Sequence, residues 1–148
     1  MKSLILHPTD TSQWYTLILE AESYTQIHLN IDTESYLVFL LMRSSKSTLW
    51  LDGMVGTDLM QALQHHGRKQ KQMLLDIGDK SLLLSGFFPE NVVKKQFDPM
   101  YFVHIGQIAY ASVGAFPDES DHRLYHDLSE NFLALKEILT QVKNHVQP

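Results

Sequence analysis

The tightest constraint in this sequence lies between Arg68 and Phe116, where two helix-forming stretches meet at a Gly/Pro corner and each carries small residues along one side. The centre of the stretch is Gly78-Asp79-Lys80-Ser81-Leu82-Leu83-Leu84-Ser85-Gly86-Phe87-Phe88-Pro89-Glu90. At about 100° per residue, Met73, Ile77, Leu84 and Phe88 fall within about 60° of one another, with Ser81, Ser85 and Gly78 on one flank. In the second helix the apolar stripe reads Tyr101, Ile105, Ile108, Ala109 and Ser112, flanked by Phe102, Gly106 and Val113. Small residues at a crossing let helix axes approach near the low end of the usual 8–10 Å. The two helices are therefore expected to touch.

The rest of the chain supplies further helices. Leu4-Ile5-Leu6 before His7-Pro8 reads as an N-terminal arm over residues 1–10. A helix is expected from Thr11 or Ser12, whose hydroxyls can accept from free N–H groups of its first turn, with Trp14, Leu17, Ile18, Ala21 and Tyr24 inward. Ile27, Leu29 and Ile31 alternate with polar residues, a five-residue strand signal too short to build a sheet. Asp32-Thr33-Glu34-Ser35 offers a cap for Tyr36–Met42, which has no polar break and is expected to be a central helix enclosed by the two small-residue helices. Trp50 follows. A short helix over Leu59–His66 is expected to close at Gly67. Proline at 89 forces Phe88 out of helical geometry. Asn91–Gln96 reads as two helical turns, and Asp98-Pro99 gives an N-cap followed by proline at the first helical position. From Ser120 or Asp121 a long terminal helix runs to about residue 146, its inner stripe Leu124, Leu128, Phe132, Leu135, Ile138, Leu139 and Val142. The fold class is all-α, a single domain over 1–148 of six to seven helices.

A chain of 148 residues buries enough surface to stand without disulfides or metal. It contains no cysteine, which removes thiolate zinc sites, iron–sulfur clusters and cysteine nucleophiles together. Neither the start, Met1 to Pro8, nor the longest apolar run, Leu37 to Met42, has the length of a signal peptide core or a membrane span. A cytoplasmic protein without membrane attachment is expected. The net charge of −5 argues against a nucleic-acid footprint, which needs a basic face. The basic clusters Arg68-Lys69-Gln70-Lys71 and Lys94-Lys95 have the look of solvated surface.

Three stretches, Glu34 to Arg43, Gly78 to Glu90 and Tyr101 to Tyr110, resemble a family of roughly 150-residue proteobacterial proteins with no assigned activity, cofactor or catalytic residue. The resemblance covers about residues 34–115. It implies a bacterial cytoplasmic origin and says nothing of mechanism.

Candidate sites are few. His122, His126 and Glu130 stand at i, i+4 and i+8 and could hold a transition metal. They lie opposite the apolar stripe, however, where a solvated face would look the same. His104 could meet Asp79 or Glu90 across the corner as an acid/base pair, although Asp79 points away from its stripe and Asp76 and Lys80 are spaced for an i, i+4 ion pair. Ser85-Gly86 lacks the nucleophile elbow, and no phosphate loop or dinucleotide fingerprint exists. No catalytic residue is assigned and no cofactor is called for. The aromatic set Phe87, Phe88, Phe97, Tyr101, Phe102, Tyr110 and Phe116 is the remaining candidate. Rings filling the core is the plain reading. Pointing outward, Phe87 and Phe102 would anchor a protein partner or a second copy, and a parted seam would open a pocket for a lipid or haem. The expectation is a non-enzymatic, self-associating interaction or regulatory protein. The alternative is a carrier or sensor of an apolar ligand, and after it a metal-dependent enzyme using His122, His126 and Glu130.

Overall fold

The computed structural model describes residues 10–46, 55–90 and 98–146. These form seven helices and no strand: α1 Asp10–Thr25, α2 Ile31–Lys46, α3 Val55–Ala62, α4 Gly67–Gly86, α5 Pro99–Gly114, α6 His122–Glu130 and α7 Phe132–Val146. The all-α architecture follows from the 3.6-residue periodicity of nearly every apolar run. The N-terminal arm, Trp50 and the two turns read over Asn91–Gln96 lie outside the described residues.

α4 is the centre. Every residue from Ile77 to Phe87 is buried, and α4 packs most extensively on α5, then on α3 and α7. The small-residue seam is the reason. A Cβ at Gly106 would strike the Phe132 ring and come within 3.1 Å of Ser81 Cβ, and one at Gly86 would sit 3.0 Å from Leu139 Cβ and 3.1 Å from the Lys136 carbonyl oxygen. Side chains there would drive α5 and α7 away from α4. In this seam the Phe132 ring lies against Gly106 and the Tyr110 ring against Gly78.

Several local expectations are corrected. α2 is not enclosed by α4 and α5. It packs chiefly on α1, and Phe39 is 68% exposed. On α5 the buried set is Phe102, Val103, Ile105, Ala109, Tyr110 and Val113, while Tyr101 and Ile108 face outward. A helix without a formal charge gives periodicity nothing polar to mark its wet side. Residues 27–30 form a connection rather than a strand. There the Leu29 N–H is taken by Glu22 Oε1 at 2.8 Å, and Asn30 Oδ1, not Asp32, caps α2 by accepting from the Thr33 N–H at 2.9 Å. Gln26 leaves α1 at φ 63, a left-handed exit without the usual glycine. α1 begins at Asp10, before Thr11 and Ser12, and Tyr24 is 76% exposed.

α3 ends at Ala62 and Gly67, at φ +61, turns the chain into α4 instead of closing α3. Asp98 caps α5 as its sequence requires, its carboxylate accepting from the Met100 N–H at 3.0 Å. The single terminal helix expected over 120–146 is divided at Asn131, whose N–H returns to the Asp127 carbonyl oxygen at 2.9 Å. The apolar stripe runs through the break, with Leu128, Phe132, Leu135, Ile138, Leu139 and Val142 all buried.

Candidate functional site

Three helices meet at one carboxyl group. Tyr36 of α2 and Tyr110 of α5 both donate to Asp79 Oδ1 on α4, at 2.6 and 2.7 Å. Seven residues along α2, Arg43 reaches the other oxygen, its Nη1 lying 3.5 Å from Asp79 Oδ2 and its Nη2 3.4 Å from Asp76 Oδ1. The neighbouring glycine makes this possible. A Cβ at Gly78 would sit 2.6 Å from Tyr110 Cε1, so only glycine lets the Tyr110 ring lie on the α4 backbone and deliver its hydroxyl to the next residue. Edge-to-face contacts of Tyr36 with Tyr110 and Tyr125, at 6.1 and 6.2 Å, fix the rings.

The electrostatics follow from burial. Asp79 is 6% exposed, and loss of water pushes its carboxyl up to about 6 against the opposing pull of the two phenols and Arg43. Burial, then the Asp79 charge, raises the Tyr36 and Tyr110 phenols far above their ordinary range, and burial lifts Tyr125 to about 12. The phenols stay protonated as donors. A cleft of about 210 Å³ lined by Arg43, Asp58, Met73, Asp76, Ile77 and Lys80 touches Arg43, but Asp79 does not line it. In that cleft Lys80 pairs with Asp58 at 3.2 Å, and Asp76 with Arg43 rather than with Lys80. The group ties α2, α4 and α5 together.

The other candidates fall elsewhere. His104 is exposed while Asp79 lies inside, so the pair with Asp79 is not formed, and the carboxylate of Glu90, the other expected partner, accepts from Lys143 Nζ at 3.1 Å. Phe87 and Phe102 are 7% and 3% exposed and Tyr110 is fully buried, which removes them as outward anchors. Phe87 packs edge-on to Trp14 at 6.4 Å and to Phe88 at 5.1 Å, and Lys143 caps both rings at 5.2 Å while donating to the Phe87 carbonyl oxygen at 2.7 Å. Phe116 is half-buried, with Lys71 Nζ 6.0 Å from its ring centre. His122 Nδ1 lies 2.6 Å from the Gly114 carbonyl oxygen and therefore carries the proton. His126 and Glu130 are exposed, and among the described residues no group of three or more histidines, aspartates and glutamates is placed to hold a metal ion.

What lies outside instead is the far side of α5. Its sequence, Pro-Met-Tyr-Phe-Val-His-Ile-Gly-Gln-Ile-Ala-Tyr-Ala-Ser-Val-Gly, contains no Asp, Glu, Lys or Arg, and the other six described helices each carry at least one. Met100 and Tyr101 are 40% exposed and Ile108 52%, and His104, Ala111 and Ala115 are exposed on the same side. A cleft lined by Ala111, Gly114, Ala115, His122, Arg123 and His126 borders this face. No described helix is long and apolar enough to cross a membrane. No family profile, curated protein or solved structure matches this chain.

Proposed function

We propose that this chain is a non-enzymatic interaction or regulatory protein of the bacterial cytoplasm that works by contact through the outer face of α5, and that the partner is a second copy of itself. The supporting observation is the apolar side, free of Asp, Glu, Lys and Arg, of a helix that Asp79 and the seam hold from within. A chain of net charge −5 repels its own copies in general. A face without Asp, Glu, Lys or Arg is where two copies meet without opposing like charges. The helix is 16 residues long, about 24 Å. A strip of that size falls short of the roughly 800 Å² per partner in a tight complex, so the association expected is weak and reversible, in the micromolar range.

The test is sedimentation velocity over protein concentrations from about 1 µM to about 1 mM, with Ile108→Asp as the variant. Ile108 is half exposed and outside the core, so the substitution leaves the fold intact. The wild type is expected to pass from monomer to dimer, and the variant to remain monomeric. A wild type that stays monomeric throughout, or a variant that dimerises equally well, ends the proposal.

A further inference from the structure

One side of α4 forms the floor of the cleft that Arg43 borders. Met73, Asp76, Ile77 and Lys80 follow one another at i, i+3, i+4 and i+7, so they share a face over about 10 Å of helix, and all four line the cleft. α2 adds Arg43 and α3 adds Asp58. The apolar part of the lining is Ile77, which is buried, and Met73, which is half-buried. With it stand two cations and two carboxylates, Arg43 beside Asp76 at 3.4 Å and Lys80 beside Asp58 at 3.2 Å. The Lys80 side chain is 10% exposed, against 37% for Asp58 and Arg43 and 44% for Asp76, so its ammonium is the deepest charge of the set.

We propose that this cleft binds a small zwitterion, an α-amino acid with a short apolar side chain. Arg43 and Lys80 take its carboxylate, Asp58 and Asp76 its ammonium, and Met73 and Ile77 its side chain. The volume, about 210 Å³, lies below the roughly 300–1,000 Å³ of a site for drug-sized molecules, and suits a ligand of amino-acid size. The ion pairs are spaced to admit one. Charge-assisted bonds close to about 2.7–2.9 Å, and Lys71 and Glu119 meet at 2.6 Å. The pairs of Lys80 with Asp58 and of Arg43 with Asp76 and Asp79 stand instead at 3.2, 3.4 and 3.5 Å, and Gln72 Nε2 is 3.4 Å from Asp76 Oδ1. These groups approach without closing, so turning them to a ligand costs little.

Charge balance selects the class of ligand. A simple anion that drew Arg43 or Lys80 away would take a cation from Asp76 or Asp58, and a simple cation would take a carboxylate from Arg43 or Lys80. For Lys80, the most enclosed of the four, that loss is the most costly. A zwitterion enters both pairs at once and leaves every charge compensated. The apolar floor then favours a side chain between valine and methionine in size. Arg43 also reaches Asp79 Oδ2 at 3.5 Å, so a seated carboxylate draws on the same guanidinium that joins the tie between α2, α4 and α5. The cleft is built from α2, α3 and α4, and its occupancy does not require the outer face of α5.

The experiment is an amide NMR titration of the whole chain at neutral pH with L-valine, L-leucine and L-methionine, from about 10 µM to about 10 mM. Two leucine analogues run beside them: isocaproate, which lacks the ammonium, and isoamylamine, which lacks the carboxylate. The amino acids are expected to shift the amides of Met73 to Lys80 saturably, with a Kd below about 1 mM, and each analogue to bind at least about tenfold more weakly than leucine. Asp58→Asn, at a position that is 37% exposed, removes a partner of the ammonium and is expected to weaken leucine at least about tenfold. If none of the three amino acids moves these amides at the highest concentration, if either analogue binds as tightly as leucine, or if Asp58→Asn binds leucine unchanged, the proposal is wrong. Should the variant fail to fold, the analogue series on the wild type gives the decision.

Discussion

Removing one hydroxyl tests whether Asp79 is the tie that holds three helices. In Tyr110→Phe the ring keeps its place on Gly78 and no cavity larger than an oxygen atom opens in a fully buried position. Asp79 Oδ1 then keeps only the Tyr36 donor. A hydrogen bond to an ionised group is worth about 1.5–3 kcal/mol and one between neutral groups about 0.5–1.5 kcal/mol. Burial pushes the Asp79 carboxyl up to about 6, so it is expected to be ionised at pH 8 and protonated at pH 5. The variant should therefore lose about 2–3 kcal/mol at pH 8 and about 1 kcal/mol at pH 5.

The difference, on the order of 1.4 kcal/mol, has a required counterpart: the Asp79 carboxyl should move up by about one unit, because the lost donor favoured its charged form. Wild-type stability has its own signature. The folded carboxyl sits above its unfolded value of 3.8, so its contribution is largest below that value and is lost as the pH rises through about 6. Urea unfolding at the two pH values, with aspartate carboxyl titration, measures all three quantities. An equal loss at both pH values, or a downward move of Asp79, would refute the reasoning.

Two further outcomes follow from the packing and the charges. Gly106→Ala should destabilise the fold by about 1–2 kcal/mol in thermal or urea unfolding, because overpacking against Phe132 and Ser81 outweighs the helical advantage of alanine. Glu119→Gln should abolish an acid-side loss of stability. Lys71, bonded to Glu119 at 2.6 Å, holds that carboxyl below 4.5, so the wild type is stabilised above that value and weakens as the pH falls through the folded pKa, whereas an unfolding series on the variant should be flat there.

The helical content, the α4–α5 contact, the Asp98 cap and the terminal stripe were all legible, because each rests on a local pattern that the fold leaves unopposed. Two kinds of feature were not. Asn30 caps α2 ahead of the Asp32–Ser35 stretch, Gln26 took a left-handed exit that a glycine would have announced, and boundaries moved by up to about four residues, α3 spanning Val55–Ala62 where Leu59–His66 was expected. The second kind concerns faces. Tyr101 and Ile108 were placed inward by a periodicity that cannot orient a helix lacking charge. Tyr110 was picked out for its ring and its position near the corner, whereas its role lies in its hydroxyl.

Asp79 shows why angle arithmetic fails at the centre of a helical fold. The wheel places it away from the apolar stripe of α4, and on a surface helix that direction leads to water. α4 has no such side between Ile77 and Phe87, so an acid anywhere on that arc had to find donors. Four polar residues, Asp79, Lys80, Ser81 and Ser85, sit in a run otherwise made of Ile, Leu, Gly and Phe. In a helix with no wet side, serines can bond back to their own carbonyls, as Ser85 does at 3.2 Å to Leu82, but a carboxylate cannot. Its partners must come from other helices, and the candidates are phenols or guanidinium groups on apolar stretches: Tyr36 and Arg43 on α2, Tyr110 on α5. The same logic applies to Glu22 and Glu34, two acids turned inward on adjacent helices, whose donors among the described residues are the Leu29 N–H and the Tyr15 hydroxyl. A charged residue in an enclosed element marks a long-range contact, and the chemistry of that residue names the partner.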